Sequence, residues 1–159
     1  MEFVEYMPEE FAEEIDPKEI SNRPVGVISI TDPGRQANLK PGWADILRLQ
    51  FNDVDPEYLE SLGNDAEGKV LFTEQQAKKV VSWINNNKGK LYGVVVHCWA
   101  GISRSGAVAK FIADKFGLPF PKERSEFVNR YIYDMLQQAD RGASSPKHIK
   151  VNGHLYKRV

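Results

Sequence analysis

One cysteine, Cys98, stands among the 159 residues of this sequence. An internal disulfide is thereby excluded, as is any zinc site built from several thiolates. Histidine is scarce too. His97, His148 and His154 lack the spacing of metal ligands, and His148 and His154 read as surface residues, so neither a metal nor another cofactor is expected. No apolar run is long enough to cross a bilayer and no signal-peptide pattern opens the sequence, so a cytoplasmic protein without a membrane partner is expected. An excess of charge is also missing. Lys and Arg number 21 against 22 Asp and Glu, a net charge of -1, which carries no clear signal for nucleic acid. The two ends differ, acidic over residues 1–19 and basic over residues 141–159, but a charged end is usually just a solvated one.

What is present is an ordinary globular composition, 42% apolar and 27% charged. It predicts one domain over residues 1–159, with a short tail from about 141. Residues 1–7 suit a first strand, and Pro8 suits the first turn of a short acidic helix ending near Ile15. Val25-Gly-Val-Ile-Ser-Ile30 is rich in β-branched residues and reads as a buried strand, broken by Asp32-Pro-Gly34. A second buried strand is expected over 44–51, followed by a polar loop over 52–69. Thr73 and Gln76 form a capping-box pair, and Ala77, Val80, Val81 and Ile84 share one helical face, predicting a helix to about Asn87. Leu91-Tyr-Gly-Val-Val-Val-His97 reads as a central strand. The next helix buries Val108, Phe111, Ile112 and Phe116 and stops at Gly117. A last helix is expected over about 123–138. Alternating strands and helices imply an α/β fold, a central mostly parallel sheet with helices on both faces and its ligand beyond the carboxyl ends of the strands.

The chemistry lies in Val94-Val-Val-His-Cys-Trp-Ala-Gly-Ile-Ser-Arg-Ser-Gly-Ala107. A buried strand delivers Cys98 to the sheet edge. Trp99, Ala100, Gly101, Ile102 and Ser103 form a loop, and Arg104 and Ser105 open a helix. Successive loop N–H groups can form an anion nest, and the helix N-terminus adds unpaired amides and a positive dipole end. The same field favours a nucleophilic thiolate. Arg104 supplies a planar, permanently charged fork suited to two phosphoryl oxygens.

This loop, Cys98-Trp-Ala-Gly-Ile-Ser-Arg104-Ser105, resembles the Cys-x5-Arg-Ser/Thr signature of the protein tyrosine and dual-specificity phosphatase superfamily. The match is nearer to small bacterial and phage tyrosine phosphatases, because Ile28-Ser-Ile-Thr-Asp-Pro-Gly34 and Leu47-Arg-Leu-Gln-Phe-Asn-Asp53 precede His97–Ser105 in the same order. The resemblance spans roughly residues 25–136. It implies a compact, dual-specificity-like cysteine-phosphatase fold. It also implies hydrolysis of a phosphorylated protein or another phosphomonoester through a phosphocysteine, with phosphate or sulfate able to occupy the loop. In the family a mobile-loop aspartate protonates the leaving group. Asp53 fits that place by its Phe-x-Asp context, with Asp55 as rival and Glu57 also in reach. The resemblance further assigns Ser105 to stabilising the departing sulfur and His97 to orienting the loop. Asp32 reads as a turn residue before Pro33, and Asn129-Arg130-Tyr131 as a packing segment. Rhodanese or arsenate chemistry is disfavoured, since the loop-and-serine pattern differs and further cysteines are absent. A phosphoprotein-binding module without catalysis would share the loop.

Overall fold

The computed structural model describes residues 1–144, 148–151 and 154–157, with side chains through residue 143. Four strands form the central sheet: β1 (Phe3–Pro8), β2 (Val25–Thr31), β3 (Ile46–Gln50) and β4 (Gly93–Cys98). Their order is β1-β4-β2-β3, and every pairing is parallel. Parallel strands need crossover connections over the sheet faces. Here α4 (Glu74–Asn87), α5 (Arg104–Phe116) and α6 (Arg130–Ser144) bury one face against Ile28, Ile30, Val94 and Val96. The short helices α1 (Glu9–Glu14) and α2 (Pro17–Ile20), with the loop carrying Trp43, cover the other face over Val25, Val27 and Val95. No helix among the described residues is long and apolar enough to cross a membrane.

Local sequence explains most boundaries. The Thr73 hydroxyl accepts from the Gln76 amide while the Gln76 side chain returns to the Thr73 amide, which fixes the start of α4. Gly117 closes α5 with φ +66°, a conformation that glycine adopts without a Cβ clash. Pro8 ends β1 and precedes α1 rather than entering its first turn.

Two further expectations fail. Residues 52–69 are not one long loop: they hold α3 (Pro56–Leu62) and a 3-10 turn, Gly63–Ala66. The cause is local, for Asp55 accepts from the Tyr58 amide as an N-cap and Pro56 stands at the first helical position. Nor does one helix span 123–138. Lys122–Phe127 is a 3-10 turn, Val128 is extended, and α6 starts only after Asn129, whose side-chain oxygen accepts from the Ile132 amide. Within the basic end, β5 (His148–Val151) and β6 (His154–Lys157) pair antiparallel. The expected surface placement of His148 and His154 falls outside the described side chains.

Candidate active site

The carboxyl ends of all four parallel strands meet at one edge of the sheet, bringing Pro8, Asp32, Phe51 and Cys98 together. This is where ligands bind in such sheets. Residues 99–103 curl from the end of β4 to the start of α5. Gly101 makes the curl possible twice over. Its φ is +68°, and a Cβ there would overlap the backbone of Met7 and Pro8. Among the described residues, no backbone carbonyl outside the regular elements accepts from the amides of Trp99, Ala100, Gly101, Ile102 or Ser103. The first turn of α5 carries no acid of its own, and its positive end faces the loop.

Cys98 lies at the base, 2% exposed, with Sγ 3.1 Å from the Ser105 hydroxyl oxygen. Ser105 is fully buried. Arg104 is buried, and its Nη1 donates to Asp32 Oδ1 and to the Phe51 carbonyl, both at 2.8 Å. An unpaired guanidinium at such depth would cost about 3–5 kcal/mol, so these two acceptors matter for holding it. Asp32 half-exposes its side chain, which leaves that carboxylate the replaceable partner and the Phe51 carbonyl the fixed one. The turn reading of Asp32 is thus incomplete. Its carbonyl does accept from the Arg35 amide at 3.3 Å, but its carboxylate belongs to the site.

His97 is fully buried behind the loop, with Nε2 2.6 Å from the Ser29 hydroxyl and no partner for Nδ1. Burial pushes its basicity below the ordinary value of 6.5, and the Glu9 carboxylate, the Cys98 backbone and the Glu13 carboxylate only partly offset this. A neutral ring tied to β2 is suited to holding β4 in place.

Asp53 follows the end of β3 and is exposed. Ser103 stands at the N-cap of α5, but its hydroxyl donates to Asp53 Oδ1 at 2.8 Å instead of capping the helix. Asn129 Nδ2 donates to the same oxygen at 3.0 Å and to the Val54 carbonyl at 3.2 Å, while its amide donates to the Ser103 carbonyl. Asn129 therefore links the Asp53 segment, the loop and α6, which corrects its reading as a packing residue. Asp55 is spent on the cap of α3. The signals for Asp32 and Asn129 were present in the sequence, a polar residue after a strand and an N-cap residue before a helix. Neither motif says that Asp32 turns toward Arg104 or Asn129 toward Asp53.

Two recesses flank the loop. One, of about 590 Å³, is mostly apolar and includes Phe11, Ile102 and Phe127, each more than half exposed. The other, about 470 Å³, lies beside Trp99 and is lined mainly by glutamates of α1. No group of three or more His, Cys, Asp or Glu among the described residues is placed to hold a metal ion.

No family model and no curated protein matches the chain. Solved structures do. Human DUSP28 aligns over 89% of this chain and 93% of its own at 16% identity, with a TM-score of 0.56. Tk-PTP in its active form aligns over 87% and 90% at 14% identity, with a TM-score of 0.50. These likenesses establish the fold: a parallel sheet flanked by helices, as in the tyrosine and dual-specificity cysteine phosphatases.

Proposed function

We propose that this chain hydrolyses phosphate monoesters through a phosphocysteine formed on Cys98. The observation that carries the reading is Cys98 at the end of β4, its Sγ 3.1 Å from the Ser105 hydroxyl oxygen, joined to the buried Arg104 at the start of α5 by a loop whose amides donate to no backbone carbonyl outside the regular elements. In the proposed reaction the substrate phosphoryl group enters the loop. The amides of residues 99–103 and the guanidinium of Arg104 hold its three non-bridging oxygens, and the phosphate takes the place of the Asp32 carboxylate on Arg104. The thiolate attacks phosphorus. The bond to the leaving oxygen breaks as Asp53 gives that oxygen a proton. A water then attacks the phosphocysteine, Asp53 takes its proton back, and the Ser105 hydroxyl stabilises the sulfur as it departs. Phosphate and free thiolate remain.

Asp53 is preferred to Asp55 as the acid because Asp53 is hydrogen-bonded to the loop, whereas Asp55 caps a helix. His97 orients the loop and moves no proton. The family resemblance points to phosphotyrosine or dual specificity, in the manner of the small bacterial and phage enzymes. It also suggests one phosphatase domain over residues 1–159 and a cytoplasmic setting. The test is Cys98→Ser assayed on p-nitrophenyl phosphate. Turnover should vanish, while binding of phosphate or sulfate persists because the amides and Arg104 remain. Unchanged turnover by the variant would sink the mechanism.

A further inference from the structure

We propose that Arg35 is a positioning residue for the phosphate loop: with Glu9 it holds the loop's first peptide, Trp99–Ala100, in the orientation that binds an anion. The inference rests on the reading of Cys98–Arg104 as a phosphate site, and it concerns two residues that the proposed reaction does not use. Trp99 opens the loop and is held by two handles. The first is its carbonyl, which accepts from the amide of Glu9, the first residue of α1, at 3.4 Å. The peptide is planar and trans, so the Ala100 N–H points opposite to that carbonyl, away from α1. Among the described residues no backbone carbonyl outside the regular elements takes this N–H, which leaves it for an anion. A reversed peptide would put a carbonyl oxygen in its place and repel the anion.

A bond of 3.4 Å is long for N–H···O and holds the peptide only weakly. The second handle is the Trp99 ring. Trp99 is 63% exposed, so little packing fixes the indole, but the Arg35 guanidinium lies 5.3 Å from its centroid. Arg35 is itself well anchored. Its Nη2 donates to Glu9 Oε2 at 2.8 Å, and the Glu9 side chain is 4% exposed. A carboxylate at that depth is strongly disfavoured without its cation, which keeps the guanidinium between Glu9 and the ring. The Arg35 backbone is fixed at the edge of the sheet. Its carbonyl accepts from the Thr31 hydroxyl at 2.6 Å and from Gln50 Nε2 at 2.9 Å, and its amide donates to the Asp32 carbonyl. Glu9, Arg35 and Trp99 thus close a triangle of one backbone bond, one ion pair and one ring contact. The same turn carries Asp32 to Arg104, so residues 32–35 reach the loop at both ends.

The experiment is a double-mutant cycle between Arg35 and Trp99. It is read by calorimetric titration with inorganic phosphate, well below the melting temperature of each variant, so that loss of fold does not enter. Arg35→Ala should weaken phosphate binding by about fivefold and Trp99→Leu by a similar factor. The double variant should be little weaker than either alone, because Arg35 acts through the ring. If Arg35→Ala fails to fold with Glu9 left unpaired, the neutral pair Glu9→Gln/Arg35→Gln takes its place in the cycle. Wild-type phosphate affinity in the folded Arg35 variant would overturn the proposal. So would losses that multiply in the double variant, since Arg35 would then act by its charge and not through Trp99. Phosphate binding without turnover of p-nitrophenyl phosphate by the wild type would count against the phosphatase reading, and the cycle would still decide the role of Arg35. No phosphate binding by the wild type would remove the site and the proposal together.

Discussion

The two halves of the site are built in opposite ways. Cys98, Arg104 and Ser105 sit on β4 and α5 and are at most 5% exposed, and Cys98 shares the main core with Val96, Ala107 and Val108. Asp53 is exposed, and the segment after it includes α3, in which no residue is fully buried. The first half is positioned by packing, and moving it would disturb the core. The second is positioned by hydrogen bonds from Ser103 and Asn129, each contributing about 0.5–1.5 kcal/mol net. An anion cradle must be rigid before its ligand arrives. A proton donor has to meet leaving groups of different shape, and a polar tether permits that.

If this contrast is right, damage to the two halves should look different. After loss of Cys98, which should remove all turnover, the largest effect is expected at Asp53. Asp53→Asn should slow hydrolysis by about 10²–10⁴-fold for alkyl phosphates and less for an activated aryl phosphate, which departs without a proton. The basic limb of its pH–rate profile should flatten. Asp55→Asn should show no such leaving-group dependence. A steep dependence in Asp55→Asn but not in Asp53→Asn would transfer the acid role to Asp55. Next in size is Asn129→Ala, which frees one side of the tether. It should lower kcat on poor leaving groups by about tenfold while leaving phosphate affinity in place, since the side chain bonds Asp53, Val54 and Ile132 and alanine keeps the backbone bond to the Ser103 carbonyl. Equal losses in kcat and phosphate affinity would mean that the halves are not separable.

The smallest effect concerns pH. His97 is held neutral by burial, so the unfolded chain binds a proton that the native chain refuses as pH falls below 6.5. The stability tied to His97 is therefore complete above 6.5 and is lost as pH drops toward the lowered native value. Denaturant melts of wild type and His97→Gln at several pH values between 7 and 5 check this. The wild type should lose stability over that range, and the variant should show a flatter curve.

The sequence made one half far more legible than the other. The cradle half is a run of contiguous residues, so strand, loop, Gly101 and helix could be read in place. The start of α4 at Thr73 and the stop of α5 at Gly117 followed from side chains that act within one turn. The donor half comes from separate segments. α3 was obscured because it is only seven residues long and its apolar residues, Tyr58, Leu59 and Leu62, are too few to stand out in a polar, acidic stretch, although Asp55-Pro56 announced its cap. The break before α6 was hidden because Phe127 continues the apolar spacing, yet that ring is 56% exposed. Asp32 and Asn129 reach the site only after β2 and α6 are docked, and no local pattern encodes that.

The central claim is that Cys98 becomes phosphorylated during turnover. Rapid-quench labelling with a ³²P-labelled aryl phosphate, followed by mapping of the labelled residue, measures this directly. The label should appear on Cys98, be absent from Cys98→Ser, and accumulate in Ser105→Ala, where the sulfur leaves without its hydroxyl partner. Steady turnover with no label on Cys98 in either the wild type or Ser105→Ala, or with label on another residue, would contradict the account.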